Sequence, residues 1–426
     1  MKIIKFNNKN FFAELDLHLS KRIENSKNIY QDVEEIIKDV KKNGNEALIK
    51  YAKKIDNIDL SENDIKLKNF SSKENVDTNI LLSFEKAIKN ITNFHKKQLP
   101  NNYEIDKDDL KLKSIWRPLD SVGLYIPGGN AAYPSSLIMS VIPAKVAGVK
   151  RIVCVTPPSK TINPYILKLF EILNIEEVYL VGGAQAIAAL SYGTETIKPV
   201  NKIFGPGNEY VSTAKKQVFG KVGIDLIAGP SEILVVADDD NNPAWVASDL
   251  MAQAEHDINA QSILITDSEL FLNKVQQEII RLSSKLSKKK IIETSLKNNG
   301  LIILVDDLNE SHEIINYIAP EHLHLHTKEQ NNLLSNVKNA GCIFLGELAS
   351  EAFGDYIVGT NHILPTSGAA KFSSGLSVTD YMKRSSIVQM NQNSYNNLHK
   401  DAEQMAEVEG LDAHKLSVKI RQTSEN

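Results

Sequence analysis

The sequence predicts an α/β protein built from two Rossmann-like open sheets, with helices on both faces of each sheet. Short β-rich runs alternate with helical runs from about residue 119 onwards. Such alternation produces parallel strands joined by crossover helices. One array begins at 122 and a second begins at 232. The 426 residues are too many for a single hydrophobic core, which indicates two main domains plus attached segments.

Each predicted element follows from the spacing of its apolar residues. In the first array the predicted strands are 122–126, 152–156, 178–181 and 202–204, and the helices are 135–148, 163–173, 184–191 and one after 208. In the second array the strands are 232–237, 262–266, 301–305, 323–326 and 342–345, and the helices are 243–256, 268–286, 310–317 and 328–338. Amphipathic helices are predicted at 30–56 and 78–98, before both arrays.

Composition excludes several classes of protein. The net charge of -4 gives no basic surface for nucleic acid. The two cysteines, Cys154 and Cys342, are far apart, which excludes a cysteine zinc site and a disulfide framework and fits a reducing compartment. The first residues lack the apolar run of a signal peptide, and no stretch approaches the roughly 20 apolar residues of a membrane span. We therefore expect a cytoplasmic protein with no nucleic-acid or membrane partner.

Glycine-rich turns stand between strands and helices of the first array. Gly182-Gly183 and the run from Gly205 to Asn208 leave helix N-terminal N–H groups free for phosphate. Neither is a full G-x-G-x-x-G, and a tight turn explains either pair taken alone. Cys154 lies in an apolar strand, which favours a buried structural thiol over the thiolate nucleophile that some aldehyde dehydrogenases use.

Acid–base and metal-ligand residue types occur mainly in the second array. Glu321-His322 precedes a short strand, and both side chains are possible general bases. His322, His324 and His326 point the same way in an extended run, so a histidine-rich strand face is the alternative. Gln253 and His256 are three apart on a helix and share one face, as metal ligands or as an ordinary polar surface.

The remaining polar candidates lie towards the C-terminus. Asp355 and His362 occupy a glycine-marked loop and are either ligands or turn formers. Glu409 and His414 are separated by Gly410 and, taken alone, are ordinary surface residues. Residues 369–426 contain too few apolar residues for a core of their own, so a partner subunit is the natural surface to cover them.

Together these segments resemble the histidinol dehydrogenase family. The resemblance runs in order from about residue 20 to the C-terminus. It is carried by Gly123–Gly129, Gly182–Ala188, Phe204–Asn208, Ala228–Glu232, Gln253–His256, Ala319–Leu323, Gly354-Asp355, Gly359–Thr366 and Ala413–Lys415.

The resemblance implies an activity, cofactors and site residues. The activity is NAD-dependent oxidation of L-histidinol to L-histidine through L-histidinal, in a homodimer with shared active sites and one zinc ion per subunit. The implied zinc ligands are Gln253, His256, Asp355 and His414, and the acid–base residues are Glu321 and His322. The implied contacts to NAD come from Tyr125, Gln185 and Asn208, and those to the substrate from Ser231, His322, His362, Glu409 and the zinc ligands.

The same resemblance implies a division of the chain. We expect an N-terminal arm at 1–22, a main α/β domain from 23–130 and 230–368, a cofactor-side domain at 131–229, and a tail at 369–426 that completes the partner's site. The N-terminal arm and the tail would serve dimerisation. Three alternatives stay open at this point: a related dehydrogenase for another small polar alcohol or diol, a zinc-dependent hydrolase, and a non-catalytic binding protein. Manganese or cobalt also suits such a mixed ligand set.

Overall fold

The structure, a computed structural model, describes residues 1–21, 27–70, 76–128, 133–159, 161–227 and 229–422. Gly129 and Ala228 of the family motifs lie outside the described residues. The chain divides into two compact units. The first unit comprises Met1–Gln98 and Leu119–Tyr381, and the second comprises Leu99–Pro118 and Met382–Asn426.

Both units contain strands and helices, which are numbered along the whole chain. The strands are β1 Lys2–Lys5, β2 Tyr103–Lys107, β3 Leu110–Pro118, β4 Ser121–Tyr125, β5 Arg151–Thr156, β6 Glu177–Leu180, β7 Lys202–Phe204, β8 Gly223–Ile224, β9 Glu232–Ala237, β10 Gln261–Thr266, β11 Leu301–Leu304, β12 His322–His326, β13 Cys342–Leu345 and β14 Met382–Met390. The helices are α1 Phe11–Ser20, α2 Lys27–Tyr51, α3 Thr78–Lys96, α4 Pro134–Ala147, α5 Pro164–Ile172, α6 Gly183–Tyr192, α7 Glu209–Val218, α8 Pro243–Ala254, α9 Glu269–Ser283, α10 Lys289–Asn298, α11 Ser311–Ile318, α12 Gln330–Asn336, α13 Glu351–Tyr356, α14 Gln392–Val408 and α15 Asp412–Lys419.

Two parallel sheets form the first unit. One has six strands in the order β1-β11-β10-β9-β12-β13, and the other has five in the order β6-β5-β4-β7-β8. The neighbouring strands of both sheets pair in parallel. The predicted α/β class with open parallel sheets is therefore confirmed.

The six-stranded sheet is covered on both faces, and its inner strand β9 is apolar from Ile233 to Ala237. Successive residues of β9 point to opposite sides, so Leu234 and Val236 pack with α1, α11 and α12. Ile233 and Val235 pack with α8 and α9 on the other side. Nearly continuous apolar runs are what a sheet buried on both faces requires.

Several element positions differ from the expected division of the chain, among them β2 and β3, which belong to the second unit although 23–130 was expected in the main domain. β1 is the edge strand of the six-stranded sheet, paired with β11, so the first residues belong to a sheet. β4 belongs to the five-stranded sheet, between β5 and β7, although the expected boundary followed it at residue 130. β4 pairs in parallel with β5 and β7, which follow it in the chain, and this pairing assigns it to the five-stranded sheet.

The second unit is a three-stranded antiparallel sheet, in the order β14-β3-β2, with two helices. Its C-terminal segment begins after residue 381, whereas the expected tail began at 369. Tyr381 explains the later start: it is fully buried in the first unit, stacks on Phe204 with ring centroids 4.0 Å apart, and donates to the Ser140 carbonyl at 2.9 Å. Among the described residues, no helix combines the length and the apolar content needed to cross a membrane.

Candidate active site

The predicted acid–base pair lies at the amino end of β12, the strand between β9 and the edge strand β13 of the six-stranded sheet. β12 begins at His322, and its neighbours β9 and β13 begin at Glu232 and Cys342. Helix α8 connects β9 to β10, two parallel neighbours, so its last turn returns to this same edge with Gln253. Ligands of open α/β sheets usually lie at the carboxyl ends of the strands, so this site occupies the opposite edge.

Glu321 is a buried carboxyl group with one strong backbone partner. The left-handed Ala319 (φ 54°) ends α11, and Pro320 then leads the chain to Glu321 at the start of β12. The backbone N–H of Glu232 donates to Glu321 Oε2 at 2.8 Å. Burial raises the pKa of Glu321 to about 8, against the attraction of His322 and the bond from Glu232. A carboxyl group in this range exchanges protons near neutral pH, as a general base must.

His322 is held between Glu321 and Asp355. Its Nδ1 lies 3.2 Å from the Glu232 carbonyl and 3.7 Å from Glu321 Oε2, and its Nε2 lies 3.6 Å from Asp355 Oδ1. Because a carbonyl only accepts, Nδ1 carries the hydrogen. Nε2 has no hydrogen-bond partner among the described residues, so it is the ring atom available to take up a proton.

Charge around His322 is predominantly negative. Burial by itself lowers the pKa of His322, but the carboxylates of Glu351, Glu321 and Asp355 outweigh burial and raise it well above its usual range. Burial raises the pKa of Glu351 to about 8. Burial also acts upwards on Asp355, but the facing imidazoles of His322, His362 and His256 prevail and lower its pKa.

A group of possible metal ligands adjoins this pair. Single ligand atoms of His256, Glu351 and Asp355 all lie within 4.8 Å of one another. His256 follows the last turn of α8, and the two carboxylates are four residues apart on α13, so they share one helix face. We did not predict Glu351 from the sequence, although its i, i+4 spacing from Asp355 was a usable signal.

Gln253 joins the same group through Glu351. One atom of the buried Gln253 amide lies 2.7 and 2.9 Å from the two carboxylate oxygens of Glu351, and as the nitrogen it donates to both. In the opposite orientation, the Gln253 amide oxygen would face the two Glu351 carboxylate oxygens. That contact is favourable only if a cation or a proton lies between them. The structure therefore brings together Gln253, His256 and Asp355, three of the four predicted zinc ligands.

Ser231 and His362 flank this cluster. His362 Nδ1 lies 3.1 Å from the Asp355 carbonyl, and its Nε2 lies 3.2 Å from Ser136 Oγ, on α4. Burial lowers the pKa of His362, so this imidazole is neutral near pH 7. Ser231 directly precedes Glu232, and its carbonyl accepts from the Gln261 N–H at 2.9 Å.

The residues expected to contact NAD lie at the carboxyl edge of the five-stranded sheet. Tyr125 ends β4, and its hydroxyl accepts from the Gly183 N–H at 3.1 Å. Gln185 is buried in the first turn of α6, and its Oε1 has no hydrogen-bond partner among the described residues. Asn208 caps α7 by accepting from the Val211 N–H at 3.2 Å. The structure thus places all three at strand ends or at the start of helices.

A buried ion pair fixes the turn that leads to Asn208. Gly205 has φ 108°, and an added Cβ would collide with the Tyr125 carbonyl, so this position requires glycine. Its N–H donates to Asp225 Oδ2 at 2.8 Å, and its carbonyl accepts from Lys215 Nζ at 2.9 Å. Lys215 and Asp225 form a salt bridge with side chains only 2% and 1% exposed. The sequence did not reveal this pair, because its members are ten residues apart across a helix and a turn.

The two remaining predicted residues lie in the second unit. Glu409 directly follows α14, and His414 lies in α15, where its carbonyl accepts from Ser417 Oγ at 2.8 Å. Both side chains are exposed within the chain described.

Two interpretations of single residue types are confirmed. Cys154 is fully buried, and burial raises the pKa of its thiol well above its usual range, as suits a structural cysteine. His322 and His324 both lie against the Phe344 ring, with centroids 6.2 and 5.0 Å away, and the His326 ring centroid is 5.2 Å from that of His324. The three histidines therefore share one face of β12.

The fold and the site define an α/β enzyme in which a buried acid–base pair adjoins a set of possible metal ligands. Comparison with known proteins is more specific. The sequence profile described as "Histidinol dehydrogenase" matches residues 19–422.

Relatives of this chain match over nearly its whole length. A histidinol dehydrogenase of Clostridium acetobutylicum is 47% identical over 397 residues, which are 92% of this chain and 92% of that protein. One of Caldanaerobacter subterraneus subsp. tengcongensis is 46% identical over 420 residues, covering 96% and 98%. The crystal structure of histidinol dehydrogenase from Elizabethkingia anophelis matches with a TM-score of 0.92 at 36% identity, covering 99% and 98%. The chain belongs to the histidinol dehydrogenase family, which consists of oxidoreductases of histidine biosynthesis.

Proposed function

We propose that the chain oxidises L-histidinol to L-histidine through L-histidinal, with two molecules of NAD and one catalytic zinc ion per subunit. The observation that carries this proposal is the single cluster formed by Glu321, His322 and the possible ligands Gln253, His256 and Asp355. Two proton acceptors of different kinds stand in one buried site. Two successive oxidations require this arrangement, since each step releases a proton.

The residues present fit a divalent cation. The proposed ligands are Gln253, His256 and Asp355 of one subunit and His414 of the second copy. Two nitrogens and two oxygens suit zinc, and also manganese or cobalt. The grouping of His256, Glu351 and Asp355 within 4.8 Å of one another, with Gln253 beside Glu351, supports a cation in this position. When bound, the metal supplies positive charge that orients the imidazole and amine of the substrate and offsets the carboxylates around His322.

His322 is the proposed proton acceptor from the alcohol. His322 acts in its neutral form, which positive charge at the proposed ligand set would favour by offsetting the carboxylates that raise the pKa of the ring. As the hydride leaves the carbinol carbon for the first NAD, the hydroxyl proton moves to His322 Nε2, the ring atom without a partner. The Glu232 carbonyl holds Nδ1–H and thereby fixes the orientation of the ring. The products of this step are the aldehyde, reduced NAD and a protonated imidazole.

Glu321 is the proposed base for the second oxidation. A water molecule adds to the aldehyde carbon while Glu321 takes one of its protons and the protonated His322 returns its proton to the aldehyde oxygen, which gives the hydrate and a neutral imidazole. The hydrate carbon then transfers its hydride to a second NAD, and the remaining hydroxyl proton goes to the imidazole. The pKa of about 8 makes the carboxylate form of Glu321 accessible at mildly alkaline pH.

Tyr125, Gln185 and Asn208 are the proposed contacts to NAD. Gln185 Oε1 supports this assignment, because it is a buried acceptor that lacks a donor within the described chain. The carboxamide and ribose hydroxyls of NAD offer such donors. The N–H groups in the first turns of α6 and α7 other than those bound to Tyr125 and Asn208 suit the phosphates.

A second copy of the chain is the proposed partner. The second unit exposes apolar side chains, among them Met405 (67% exposed), Val408 (89%) and Ile420 (68%). Such a surface usually marks an interface. In the proposed homodimer, Glu409 and His414 reach the partner's site, where Glu409 contacts the substrate together with Ser231 and His362. The cytoplasmic location also remains a prediction.

One assay tests the reaction directly. Metal-replete protein is mixed with a limiting amount of L-histidinol and excess NAD, and the absorbance of reduced NAD is followed to completion. Two equivalents of reduced NAD per substrate are expected, with histidine as product. One equivalent, or faster turnover of another amino alcohol or diol, would instead indicate a related alcohol dehydrogenase.

A further inference from the structure

A second cluster of metal-ligand residue types lies in the interior of the first unit. Asp249 is on α8, and His324 and His326 are on β12. Single ligand atoms of the three residues all lie within 4.8 Å of one another. All three are buried, at 6%, 0% and 3% exposure. None of them belongs to the ligand set proposed above for the catalytic zinc.

Hydrogen bonds among the described residues do not satisfy all the ring nitrogens of this cluster. His324 Nδ1 lies 3.2 Å from Asp249 Oδ2, which accounts for one ring nitrogen. The Nε2 atoms of His324 and His326 have no hydrogen-bond partner among the described residues. A buried polar atom without a partner costs free energy, so two such atoms in one place indicate that something else satisfies them.

We propose that Asp249, His324 and His326 bind a second divalent transition-metal ion of the zinc class. Two imidazoles and one carboxylate, with a fourth position for water, are a common ligand set for such ions. Bond lengths of about 2.0 to 2.2 Å imply ligand atoms about 3.3 Å apart around a tetrahedral ion. Single ligand atoms of Asp249, His324 and His326 lie within 4.8 Å of one another, so small side-chain rotations bring them to this spacing.

The chemistry of the ligands selects the ion. Imidazole nitrogen suits zinc and cobalt, whereas magnesium requires oxygen ligands and retains its water. Burial, together with the neighbouring His324, lowers the pKa of His326 to about 4, so this ring is neutral and has a free lone pair at neutral pH. The Phe344 ring, 5.0 Å from that of His324, further restricts contact with water.

The location gives this ion a structural role next to the active site. It would join α8, which carries Gln253, to β12, which begins at His322. Metal binding at Asp249, His324 and His326 should therefore hold the catalytic elements together without contacting the substrate. This inference is independent of the reaction proposed above.

Metal counting tests the inference. The full-length protein is stripped with a chelator and refilled with Zn²⁺ or Co²⁺. It is then passed through a desalting column, and bound metal is measured by mass spectrometry. We expect two equivalents per chain in the wild type, one in His326→Gln, and two in His312→Gln, a control histidine outside both clusters. Equal metal content in the wild type and a folded His326→Gln would overturn the proposal.

A reciprocal variant keeps the test decisive if His326→Gln fails to fold. The double variant His256→Gln/Asp355→Asn removes two ligands of the proposed catalytic zinc and leaves the second cluster intact. It should retain one equivalent of Co²⁺ and none of Mg²⁺, with an absorption spectrum typical of nitrogen-ligated cobalt. Loss of all bound metal from this variant would refute the second site. If the wild type binds one equivalent and this variant still binds it, the catalytic metal site is refuted instead.

Discussion

Replacing Glu321 by glutamine should change how the stability of the protein depends on pH. The pKa of this carboxyl is raised from 4.5 to about 8, mainly by burial. A raised pKa means that the folded state holds the proton more tightly than the unfolded chain, so stability falls as pH rises from 4.5 to 8. Glutamine stays neutral throughout and still accepts the bond from the Glu232 N–H, which removes this part of the pH dependence.

The size of the effect follows from the pKa. Since one pKa unit corresponds to about 1.36 kcal/mol, ionising Glu321 costs the folded protein roughly 5 kcal/mol more than it costs the unfolded chain, as an upper bound. The attraction to His322 and the bond from Glu232 are already contained in that value. Glu321→Gln should therefore gain stability over the wild type by a margin of a few kcal/mol between pH 5 and pH 9.

Urea unfolding of the metal-depleted protein at pH 5, 7 and 9 measures this margin. The control is Glu269→Gln, an exposed carboxyl whose pKa is lowered by a hydrogen bond and ion pair with Lys5. Its difference from the wild type should be small at all three values, because surface pairs contribute little. A difference for Glu321→Gln that stays constant from pH 5 to pH 9 would show that this carboxyl is not held protonated by burial.

Four further predictions concern catalysis, the loop at Gly205 and the dimer. His322→Asn should slow both oxidations about 10²-fold or more, whereas Glu321→Gln should slow aldehyde oxidation much more than alcohol oxidation; equal loss in single-turnover assays of each step would contradict the proposed division of roles. Lys215→Met leaves a buried carboxylate unpaired and should cost about 3 to 5 kcal/mol in urea unfolding, with part of the loss recovered by adding Asp225→Asn; an unchanged midpoint would mean that the pair is hydrated. His414→Ala should lower the zinc affinity of the purified protein, and unchanged stoichiometry and affinity would exclude His414 as a ligand. Mixing inactive Glu321→Gln with inactive His414→Ala should restore partial activity after verified subunit exchange, and no recovery would argue against sites shared between subunits.

Much of the first unit could be predicted because apolar periodicity determines its elements. Every strand and helix expected between 122 and 345 is present within a few residues of its predicted limits. The parallel sheets follow from their alternation. The prediction that His322, His324 and His326 lie on one face required only that alternate residues of a strand point to the same side.

The antiparallel sheet of the second unit was missed for a physical reason. Its strands mix apolar residues with charged and polar ones, so they lack the continuous apolar runs that mark the strands of the two parallel sheets. The alternation in Leu110-Lys111-Leu112-Lys113 was a strand signal of period two, but it covers only four residues. Its pairing with β14 joins residues about 270 positions apart, which no local pattern reveals.

The candidate site shows the same limit. Gln253, His256, Asp355 and the Glu321-His322 pair were identified through short motifs of the resembling family. Glu351 was not, because its role depends on burial against Gln253, a contact between α13 and α8. Burial also determines the raised pKa of Glu321, and a sequence does not state how deeply one carboxyl is enclosed.

The ion pair around Gly205 has a consequence for the timing of a reaction that uses two cofactors. Asp225 and Lys215 hold both the N–H and the carbonyl of this one peptide unit, so the chain's own contacts shape the turn. A turn shaped in this way need not be ordered anew by each incoming nucleotide, and the entropy lost on binding is correspondingly smaller. In the proposed reaction, spent cofactor can then leave and fresh cofactor enter within the lifetime of the bound aldehyde, which keeps a reactive intermediate from escaping into solution.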